Sequence, residues 1–414
     1  MTTGRPFFAL HGLKGLGNYG CEAIVRGTTA ILRREWPGCR ILYDTRQPDF
    51  DRAVLGDLDV EISGTPPRVT FVERAVNKLV RAAGLGWRLK YRPYYGWLKD
   101  VDCVLSIGGD NFTLWVGEDK RTTFGRAEEA NYVLLSGRPL VLWGASVGPF
   151  EANPKALRTY SRALRRMAMI TAREDATRAY LASLGIERTV RPVADPAFVM
   201  DPDGSHADED GKWFAGSPVL GVNLSPMSVR FAGYEEGAQG LPGRQVAMLT
   251  RLLDRTDLRL LFIPHVMGAP DNDDHAYLSR LLDEMPERLR PRVSLLPAAL
   301  GARRTKWIVS HCRALVAARM HCAVAGLSCA VPTLLVSYSR KAVGMCRYAY
   351  GTEDWVLPVS SRGEDMAARV ERLLESADGL RAHLASRQPG FREDAFRGGR
   401  CLREIVAAEP VATE

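Results

Sequence analysis

The residues best suited to chemistry lie between Arg319 and Lys341, in the stretch RMHCAVAGLSCAVPTLLVSYSRK. Arg319 and His321 stand two positions apart at the end of an apolar run, so on a strand their side chains would share one face. A helix of small residues is predicted next, and its N-terminal amides could bind an anion. Arginine and lysine bind carboxylates and phosphates, and histidine transfers protons near neutral pH. The pattern indicates a site for a small, multiply anionic ligand with acid–base chemistry; the alternative is that Arg319 pairs with a local acid and His321 is an ordinary core histidine.

Polar residues follow several other apolar runs, and each of these runs is typical of a strand. Ligands of open parallel sheets bind at the carboxyl ends of the strands, so residues that follow strands are candidates for a binding cleft. Taken singly, most of them also fit a structural role, such as a tight turn or a surface pair. The candidates are Asp110 in SIGGD, Ser146 in WGASVGP, Arg173 in TARE, Asn223 and Ser225 in VNLSP, His265 in IPHV and Tyr338 in VSYSRK.

The stretch GLGNYG at residues 15–20 has the spacing of a dinucleotide-binding loop. It lies between an apolar strand and an amphipathic helix, and Asp44 ends the next predicted strand, where an acid would bind a ribose. No second feature of a dehydrogenase accompanies the loop, so a nicotinamide enzyme is the less favoured interpretation. We interpret the loop as a tight turn that brings backbone amides, together with Asn18 and Gly20, to the cleft without requiring a dinucleotide.

Apolar strands alternate with amphipathic helices along most of the chain, which is typical of parallel sheets covered on both faces. With 414 residues the chain is long enough for two domains. We therefore predict an α/β protein of two Rossmann-like, doubly wound domains that face a cleft. The predicted segments are an N-terminal, acceptor-side domain at 1–200, a polar linker at 201–217, a C-terminal, donor-side domain at 218–363 and a helical tail at 364–414 that packs back on the N-terminal domain.

The formal net charge of +8 is concentrated in one segment. Residues 68–99 hold eight lysines and arginines against one acid, Glu73, and aromatic residues such as Trp87 and Tyr91 are interleaved with them. Such a surface suits an anionic glycan, a lipid-linked diphosphate, a membrane surface or single-stranded nucleic acid. Because both flanking domains look like halves of an enzyme, we expect no nucleic acid. A peripheral membrane contact through residues 68–99 is one candidate role, and the alternative is a solvated helix face followed by a partly buried loop.

Composition is that of a globular protein, with 46% hydrophobic and 25% charged residues. No apolar run approaches the ~18–20 residues of a membrane span and no signal-peptide pattern opens the sequence, so we expect a cytoplasmic location. The eight cysteines form no C-x-x-C pair, which favours free thiols in a reducing compartment. The pairs His311–Cys312 and His321–Cys322 match no standard zinc spacing, so we predict no metal.

An ordered set of sequence blocks resembles the polysaccharide pyruvyl transferase family over roughly residues 8–350. The last two blocks are the most specific, because they combine R-x-H, a small helix, a turn that ends in proline and a lysine twenty residues after the histidine. Several separate blocks in order carry more weight than one glycine-rich loop. The blocks are GNYGCEAI, SIGGD, WGASVGP, TAREDAT with YLASLGI, ADPAF, IPHV, ARMHCAVAGLSCAVP and YSRK.

The resemblance implies a fold like that of the GT-B glycosyltransferases, phosphoenolpyruvate as the donor substrate and a sugar diol as the acceptor. Family members form a pyruvate ketal on a cell-surface glycan or on its lipid-linked precursor. By position, Arg173, Arg319 and His321 match the donor-binding residues of the family, and Lys341 matches its lysine.

Glu22 and Asp110 match acidic positions that the family has near the acceptor or the donor. The first loop of the family usually reads N-x-G-D-E, whereas Cys21 takes the place of the aspartate here. The departure concerns the acceptor side and bears on ketal formation itself.

The hypothesis for the reaction follows from the carboxylate and the phosphate of phosphoenolpyruvate. Arg173, Arg319 and Lys341 would neutralise these groups, and His321 would act as the general acid that protonates the methylene carbon. An acceptor hydroxyl would attack C2 with one of the two acids as base, phosphate would leave, and a second hydroxyl would close the ketal. No metal or other cofactor is expected.

Two other functions fit the same sequence. One is a GT-B glycosyltransferase that uses a nucleotide sugar, although the sequence shows no base-recognition pocket. The other is a non-catalytic homologue that binds a glycan or another anion. The acceptor is open among a polysaccharide repeat, a lipid-linked sugar, a glycolipid and a small secondary metabolite.

Overall fold

The computed structural model of the protein describes residues 5–64, 95–114, 125–232, 240–268, 271–337 and 340–407. Most of the basic segment at 68–99 therefore lies outside the described residues. Its last part, Gly96–Lys99, forms a 3-10 turn in which Trp97 and Leu98 are buried. Within the described residues, no helix is long and apolar enough to cross a membrane.

The first of two parallel sheets is built from the N-terminal half of the chain. Its strands are β1 Phe7–His11, β2 Arg40–Asp44, β3 Glu61–Ser63, β4 Cys103–Ile107, β5 Leu140–Ala145, β6 Met169–Ala172 and β7 Val190–Pro192. Across the described ranges, these seven strands lie in the order β3-β2-β1-β4-β5-β6-β7. Every residue of β1, β4 and β5 is buried, which explains their unbroken apolar runs, since both faces of a parallel sheet are covered.

The second sheet follows the same plan in the C-terminal half. Its strands are β8 Val219–Asn223, β9 Arg259–Phe262, β10 Val293–Leu295, β11 Ala314–Ala317, β12 Thr333–Ser337 and β13 Val356–Pro358. As far as the structure describes the chain, their order is β10-β9-β8-β11-β12-β13. All of the strand pairs in both sheets are parallel, so the predicted doubly wound α/β fold is confirmed.

Within the described residues, helices connect most consecutive strands, and the last two helices follow β13. In chain order they are α1 Tyr19–Glu35, α2 Pro48–Val54, α3 Gly125–Leu135, α4 Pro154–Arg165, α5 Asp175–Ser183, α6 Ala207–Asp210, α7 Pro226–Ala232, α8 Leu241–Arg255, α9 Asp274–Glu284, α10 Ala302–Ser310, α11 Met320–Ser328, α12 Arg340–Tyr350, α13 Gly363–Glu375 and α14 Ala377–Val406. α4 shows why such helices form: the Asn153 side chain accepts hydrogen bonds from the first amides, and Tyr160 and Leu164 are buried on one face.

Each sheet has a switch point, where the connections reverse direction. β1 lies between β2 and β4 in the first sheet, and β8 lies between β9 and β11 in the second. The carboxyl ends of β1 and β4, and those of β8 and β11, are therefore the positions where a doubly wound fold binds ligands.

The chain divides into two compact units, and their bounds differ from the predicted domains at 1–200 and 218–363. The first unit contains Met1–Leu16, Thr28–Pro196 and Asp394–Glu414, and the second contains Gly17–Gly27 and Ala197–Glu393. Residues 17–27, at the start of α1, thus belong with the C-terminal sheet, whereas the end of α14 belongs with the N-terminal sheet.

The segment predicted as a linker, residues 201–217, is part of the second unit. It contains α6 and a 3-10 turn at Gly211–Phe214. The buried Asp210 carboxylate accepts two hydrogen bonds, of 2.8 and 2.7 Å, from the guanidinium of Arg304 in α10. This two-point contact attaches the segment to the second unit.

Candidate functional site

Arg319 stands at the switch point of the second sheet, after β11. That strand ends at Ala317 and α11 begins at Met320, so Arg319 is the last extended residue before the helix. His321 lies in the first turn of α11. The prediction that Arg319 and His321 share a strand face is therefore wrong, because the strand stops before them and both belong to the start of the helix.

The Arg319 guanidinium is held by two side chains from the start of α9. Its Nε donates to both carboxylate oxygens of Asp274, at 3.1 and 3.2 Å, and its Nη2 donates to Oδ1 of Asp274 at 2.7 Å. Nη2 also donates to Oδ1 of Asn272. The Arg319 side chain is 12% exposed and that of Asp274 is fully buried. Arg319 thus pairs with an acid, as the structural alternative held, but at the ligand-binding edge of the sheet.

Asp274 joins the carboxyl ends of three adjacent strands. Its Oδ2 accepts hydrogen bonds from the backbone amides of His265 and Val266, which follow β9, both at 3.1 Å. Asn223, the last residue of β8, donates to the same oxygen at 3.4 Å, and its Oδ1 accepts the backbone amide of Arg319 at 2.8 Å. Asp274 is therefore the centre of a polar network that includes three of the predicted site residues, Asn223, His265 and Arg319.

His265 is a buried histidine within this network, with 4% of its surface exposed. Among the described residues, neither ring nitrogen of His265 has a hydrogen-bond partner. Burial lowers the pKa of His265 to about 3, and nearby His321 and Arg319 add to the effect, so the imidazole is neutral at physiological pH. His265 therefore cannot donate a proton as an imidazolium near neutral pH.

The glycine loop lies against the segment that contains His265. Asn18 forms an antiparallel bridge with Val266, and the Tyr19 amide donates to the His265 carbonyl at 3.0 Å. The Tyr19 and His265 rings meet edge to face with centroids 5.6 Å apart. This contact explains why residues 17–27 belong to the second unit.

The loop also approaches His321 closely. A Cβ atom placed on Gly20 would lie 2.4 Å from Nδ1 of His321, so only glycine fits at this position. Gly17, the second glycine of GLGNYG, is not restricted in this way, because a Cβ atom placed on it would have no neighbour nearer than 3.7 Å.

The backbone amides at the start of α1 are occupied. The Gly20 amide donates to Oδ1 of Asn18 at 2.8 Å, and the amides of Cys21 and Glu22 donate to the carbonyl of Asn18. The amides of residues 19–22 are therefore not available to a ligand, because Asn18 and the His265 carbonyl already accept them.

Glu22 is buried and both of its carboxylate oxygens are engaged. Oε1 accepts from Nε of Arg26 at 2.7 Å, and Oε2 accepts from the backbone amide of Ala302 at 2.8 Å. Since Gly301 has no side chain with which to cap α10, Glu22 supplies the acceptor for that helix start. The geometry thus gives Glu22 a structural role.

The remaining predicted residues of the C-terminal half are Ser225, Lys341 and Tyr338. Ser225 is fully buried, and its hydroxyl accepts the Met227 amide at 3.2 Å at the start of α7. Lys341 is half-buried in the first turn of α12. Tyr338 lies outside the described residues.

In the first unit, Arg173 is the centre of a second polar cluster, after β6. Its side chain is 2% exposed and lies beside three acids: Asp195, Glu174 at 3.4 Å and Asp110 at 3.7 Å. Burial alone would lower the pKa of Arg173, but these carboxylates outweigh burial and raise it. The positive charge of Arg173 is therefore already balanced by carboxylates of the protein itself.

Ser146 and Asp110 complete this cluster in different ways. The Ser146 hydroxyl donates to Glu174 at 2.7 Å and accepts from Nη2 of Arg173 at 3.0 Å. The Asp110 side chain is 42% exposed, so it is the accessible acid of the cluster. The structure thus brings Asp110, Ser146 and Arg173 together in the first unit, and Asn223, His265, Arg319 and His321 together in the second.

Asp44, which the loop motif marks as a ribose acid, is engaged by the protein. Its Oδ2 lies 2.9 Å from Nδ1 of His11, at the carboxyl end of β1. The other ring nitrogen of His11 lies 3.4 Å from the Tyr95 hydroxyl and 3.9 Å from Glu129. Asp44 is therefore part of a local polar cluster.

Sequence reasoning missed Asp274 and Asp195. Asp274 lies in the run DNDDHAYL, whose Asp273 caps α9 by accepting the Ala276 amide, so the run reads as a helix start. No local signal distinguishes Asp274 from its neighbours, because its partner Arg319 is 45 positions away in sequence.

Comparison with families of known proteins matches residues 18–340 to the family model described as polysaccharide pyruvyl transferase. Comparison with curated protein sequences gives no significant match.

Solved structures share the fold at low sequence identity. A putative UDP-N-acetylglucosamine 2-epimerase from Listeria monocytogenes has a TM-score of 0.60 and 11% identity, covering 99% of this chain and 98% of that one. HepE from Anabaena, in complex with UDP and glucose, has a TM-score of 0.58 and 12% identity, covering 98% and 100%. UDP-GlcNAc 2-epimerase from Neisseria meningitidis, bound to UDP-GlcNAc, has a TM-score of 0.59 and 12% identity, covering 96% and 100%. These likenesses show the fold, which is GT-B-like.

Proposed function

The chain belongs to the polysaccharide pyruvyl transferase family, and on that premise we propose that it transfers the pyruvyl group of phosphoenolpyruvate to a sugar diol. The acceptor is a glycan, a glycolipid or a lipid-linked precursor, and the products are a pyruvate ketal and phosphate. The observation that carries the proposal is the grouping of Arg319 and His321 at the switch point of the second sheet, with Arg319 held by a buried carboxylate.

The donor fits this edge of the second unit by its charge. Phosphoenolpyruvate presents a carboxylate and a phosphate, and Arg319 and Lys341 supply cationic nitrogens from the starts of α11 and α12. The start of a nine-residue helix adds a partial positive charge. Arg173 also matches the family's donor residues, but three acidic neighbours already balance its charge.

His321 is the general acid of the proposal, since His265 is held neutral. His321 gives its proton to the methylene carbon of phosphoenolpyruvate, which leaves C2 electron-poor. One acceptor hydroxyl then adds to C2 and loses its proton to a base, and phosphate leaves with the electron pair of the C2–O bond. The second hydroxyl adds to the same carbon, returns its proton to the imidazole of His321 and closes the ketal.

Glu22 and Asp110 are the two acids that the sequence offers as the base. Glu22 is not included, because Arg26 and Ala302 occupy both of its oxygens. Asp110 is retained as the candidate because its carboxylate is accessible. Asp110→Asn is expected to leave phosphoenolpyruvate affinity unchanged and to slow transfer.

The test begins with ligand binding. Thermal unfolding is measured with phosphoenolpyruvate, UDP-glucose, UDP-GlcNAc and NADH for the wild type and for Lys341→Ala. A ligand at about 100 times its dissociation constant stabilises the fold by roughly 2.7 kcal/mol. Arg347→Ala is the matched control, since Arg347 is an exposed cation of the same helix. We expect phosphoenolpyruvate to stabilise the wild type and Arg347→Ala, and Lys341→Ala to lose most of the shift.

Turnover is then measured as phosphate release from phosphoenolpyruvate with a panel of nitrophenyl hexosides as simple sugar diols. His321→Ala is expected to abolish release while leaving donor affinity within a few-fold. Stabilisation by a UDP-sugar alone would overturn the donor assignment in favour of a nucleotide-sugar glycosyltransferase. Binding of phosphoenolpyruvate without release on any acceptor, including extracted cell-surface glycans, would favour the non-catalytic alternative.

A further inference from the structure

The Arg319 guanidinium is held along one edge. Nε and Nη2 face Asp274, and Nη2 also faces Asn272, whereas Nη1 makes no hydrogen bond within the described residues. A guanidinium is planar and its five N–H groups have fixed directions. A side chain held through Nε and Nη2 can therefore present only its Nη1 end to a ligand.

Asp274 is itself prevented from moving. It is the first residue of α9 and is fully buried, and its Oδ2 is fixed by the amides of His265 and Val266. Its own amide donates to the carbonyl of Val266 at 2.8 Å. The orientation of Arg319 is therefore set by the backbone turn that follows β9.

The pairing with Asp274 also reduces the electrostatic attraction of Arg319 for an anion. Arg319 and Asp274 carry opposite charges at 2.7 Å, so together they attract an anion less than a lone arginine would. The pair still offers an anion two N–H donors of fixed orientation, because Nη1 of Arg319 is held in a fixed plane.

We propose that Asp274, assisted by Asn272, is a positioning residue that fixes the guanidinium of Arg319 and reserves its Nη1 nitrogen for the substrate anion. The proposal rests on the proposed function, in which that anion is phosphoenolpyruvate. Removing Asp274 then has two opposed effects: the net positive charge of the site rises, and the guanidinium loses its fixed direction.

The sign of the effect of Asp274→Asn distinguishes positioning from simple electrostatics. If charge alone mattered, the variant would bind phosphoenolpyruvate more tightly. Positioning instead makes the dissociation constant rise by about tenfold or more, since a network partner of the binding group is lost. The constant is measured by titration calorimetry. Asp273→Asn is the matched control, because Asp273 caps the same helix and, within the described residues, accepts no hydrogen bond from Arg319.

Asn272→Ala is the second variant and covers the case in which Asp274→Asn does not fold. Asn272 is half-buried and receives a hydrogen bond from Nη2 of Arg319. We expect Asn272→Ala to weaken phosphoenolpyruvate binding several-fold with an unchanged melting temperature. In an Arg319→Gln background the same substitution should have no further effect, because Asn272 acts through Arg319.

Unchanged or tighter binding of phosphoenolpyruvate by Asp274→Asn or Asn272→Ala would overturn the proposal. So would a loss on Asn272→Ala that persists in the Arg319→Gln background. If the wild type binds UDP-glucose and not phosphoenolpyruvate, the proposed function fails, and the same variants titrated with UDP-glucose decide the role of Asp274. A wild type that binds neither ligand overturns both proposals.

Discussion

Two histidines, His265 and His321, lie beside the start of α1 in the second unit, and they differ in how deeply they are buried. His265 contacts the Tyr19 ring and is kept neutral by burial, whereas His321 is half-buried beside Gly20. A buried neutral imidazole can hydrogen-bond but cannot supply a proton near pH 7. At the scale of single residues, the proposal therefore assigns the general acid to His321 and excludes His265.

Gly20→Ala tests whether the glycine loop shapes His321. The new Cβ would lie 2.4 Å from Nδ1 and 2.9 Å from Cβ of His321, so the ring must move. We expect thermal stabilisation by phosphoenolpyruvate to be largely lost, and the free energy of unfolding to fall by about 1–3 kcal/mol. Gly17→Ala in the same loop is the control, because its Cβ would have no neighbour nearer than 3.7 Å. Equal behaviour of the two variants would contradict the role of Gly20.

His265→Phe tests the neutral state of His265 through the pH dependence of stability. The pKa of His265 is lowered to about 3, below the unfolded value of about 6.5, so at acid pH the unfolded chain binds a proton that the folded protein does not. Stability from this source is complete above pH 6.5 and falls by up to ~1.4 kcal/mol per pH unit between pH 6.5 and 3.

The measurement is urea unfolding of wild type and His265→Phe at pH 7, 6 and 5. The variant should lose less stability than the wild type as the pH falls, so the difference between them should change only below pH 6.5. His206→Phe, which removes an exposed histidine of the same unit, is the control. A difference that stays constant from pH 7 to 5 would show that His265 titrates normally.

At the scale of elements, the start of α10 is completed by a residue from α1. Gly301 precedes α10 and has no side chain with which to cap it, and the Glu22 carboxylate accepts the Ala302 amide instead. A buried carboxylate at a helix N-terminus is also favoured by the helix dipole. Two elements far apart in sequence are thereby joined by one side chain.

Glu22→Gln distinguishes this structural role from that of a catalytic base. The variant keeps an oxygen for the Ala302 amide but loses the charged partner of Arg26. We expect the free energy of unfolding to fall by about 1–3 kcal/mol, since hydrogen bonds to charged groups are involved. Urea unfolding measures the change. A loss below about 0.5 kcal/mol, which is typical of sites without such contacts, would restore Glu22 as a candidate base.

At the scale of the whole molecule, neither unit is one continuous stretch of chain. Residues 17–27 of α1 belong to the second unit, and residues 394–414, with the end of α14, belong to the first. A fragment cut at the predicted boundary of 218–363 would lack Tyr19 and Gly20, which contact His265 and His321. Expression of separate halves should therefore fail to reproduce the candidate site.

Gly398→Ala tests the packing of the end of α14 in the first unit. Its Cβ would lie 2.9 Å from the ring of Trp143, which is buried and donates to Thr28. We expect the free energy of unfolding to fall by about 1–3 kcal/mol, because a rigid buried ring cannot give way. Gly390→Ala in the same helix meets nothing within 4 Å and should be neutral or stabilising by up to ~1 kcal/mol. A Gly398→Ala variant as stable as the control would contradict this packing.

Much of the fold could be predicted from the sequence, because it depends on local patterns. Unbroken apolar runs such as Phe7–His11 and Cys103–Ile107 indicate strands buried on both faces, and amphipathic segments between them indicate crossover helices. The R-x-H pattern was also predicted to follow a strand, and Arg319 does lie just after β11. Its assignment to a strand failed because the apolar run continues past Ala317, while the backbone already turns into α11.

The sequence by itself determined the fold class and the residue types at the strand ends, since propensity and periodicity act over a few neighbouring residues. Only the tertiary structure decided the partners: Asp274 for Arg319, the contact of Gly20 with His321, and Ala302 for Glu22, which is 280 positions away. Such pairs form because packing buries their polar groups together, and a buried charge must find a partner wherever the chain brings one. No local sequence pattern predicts which residues become partners.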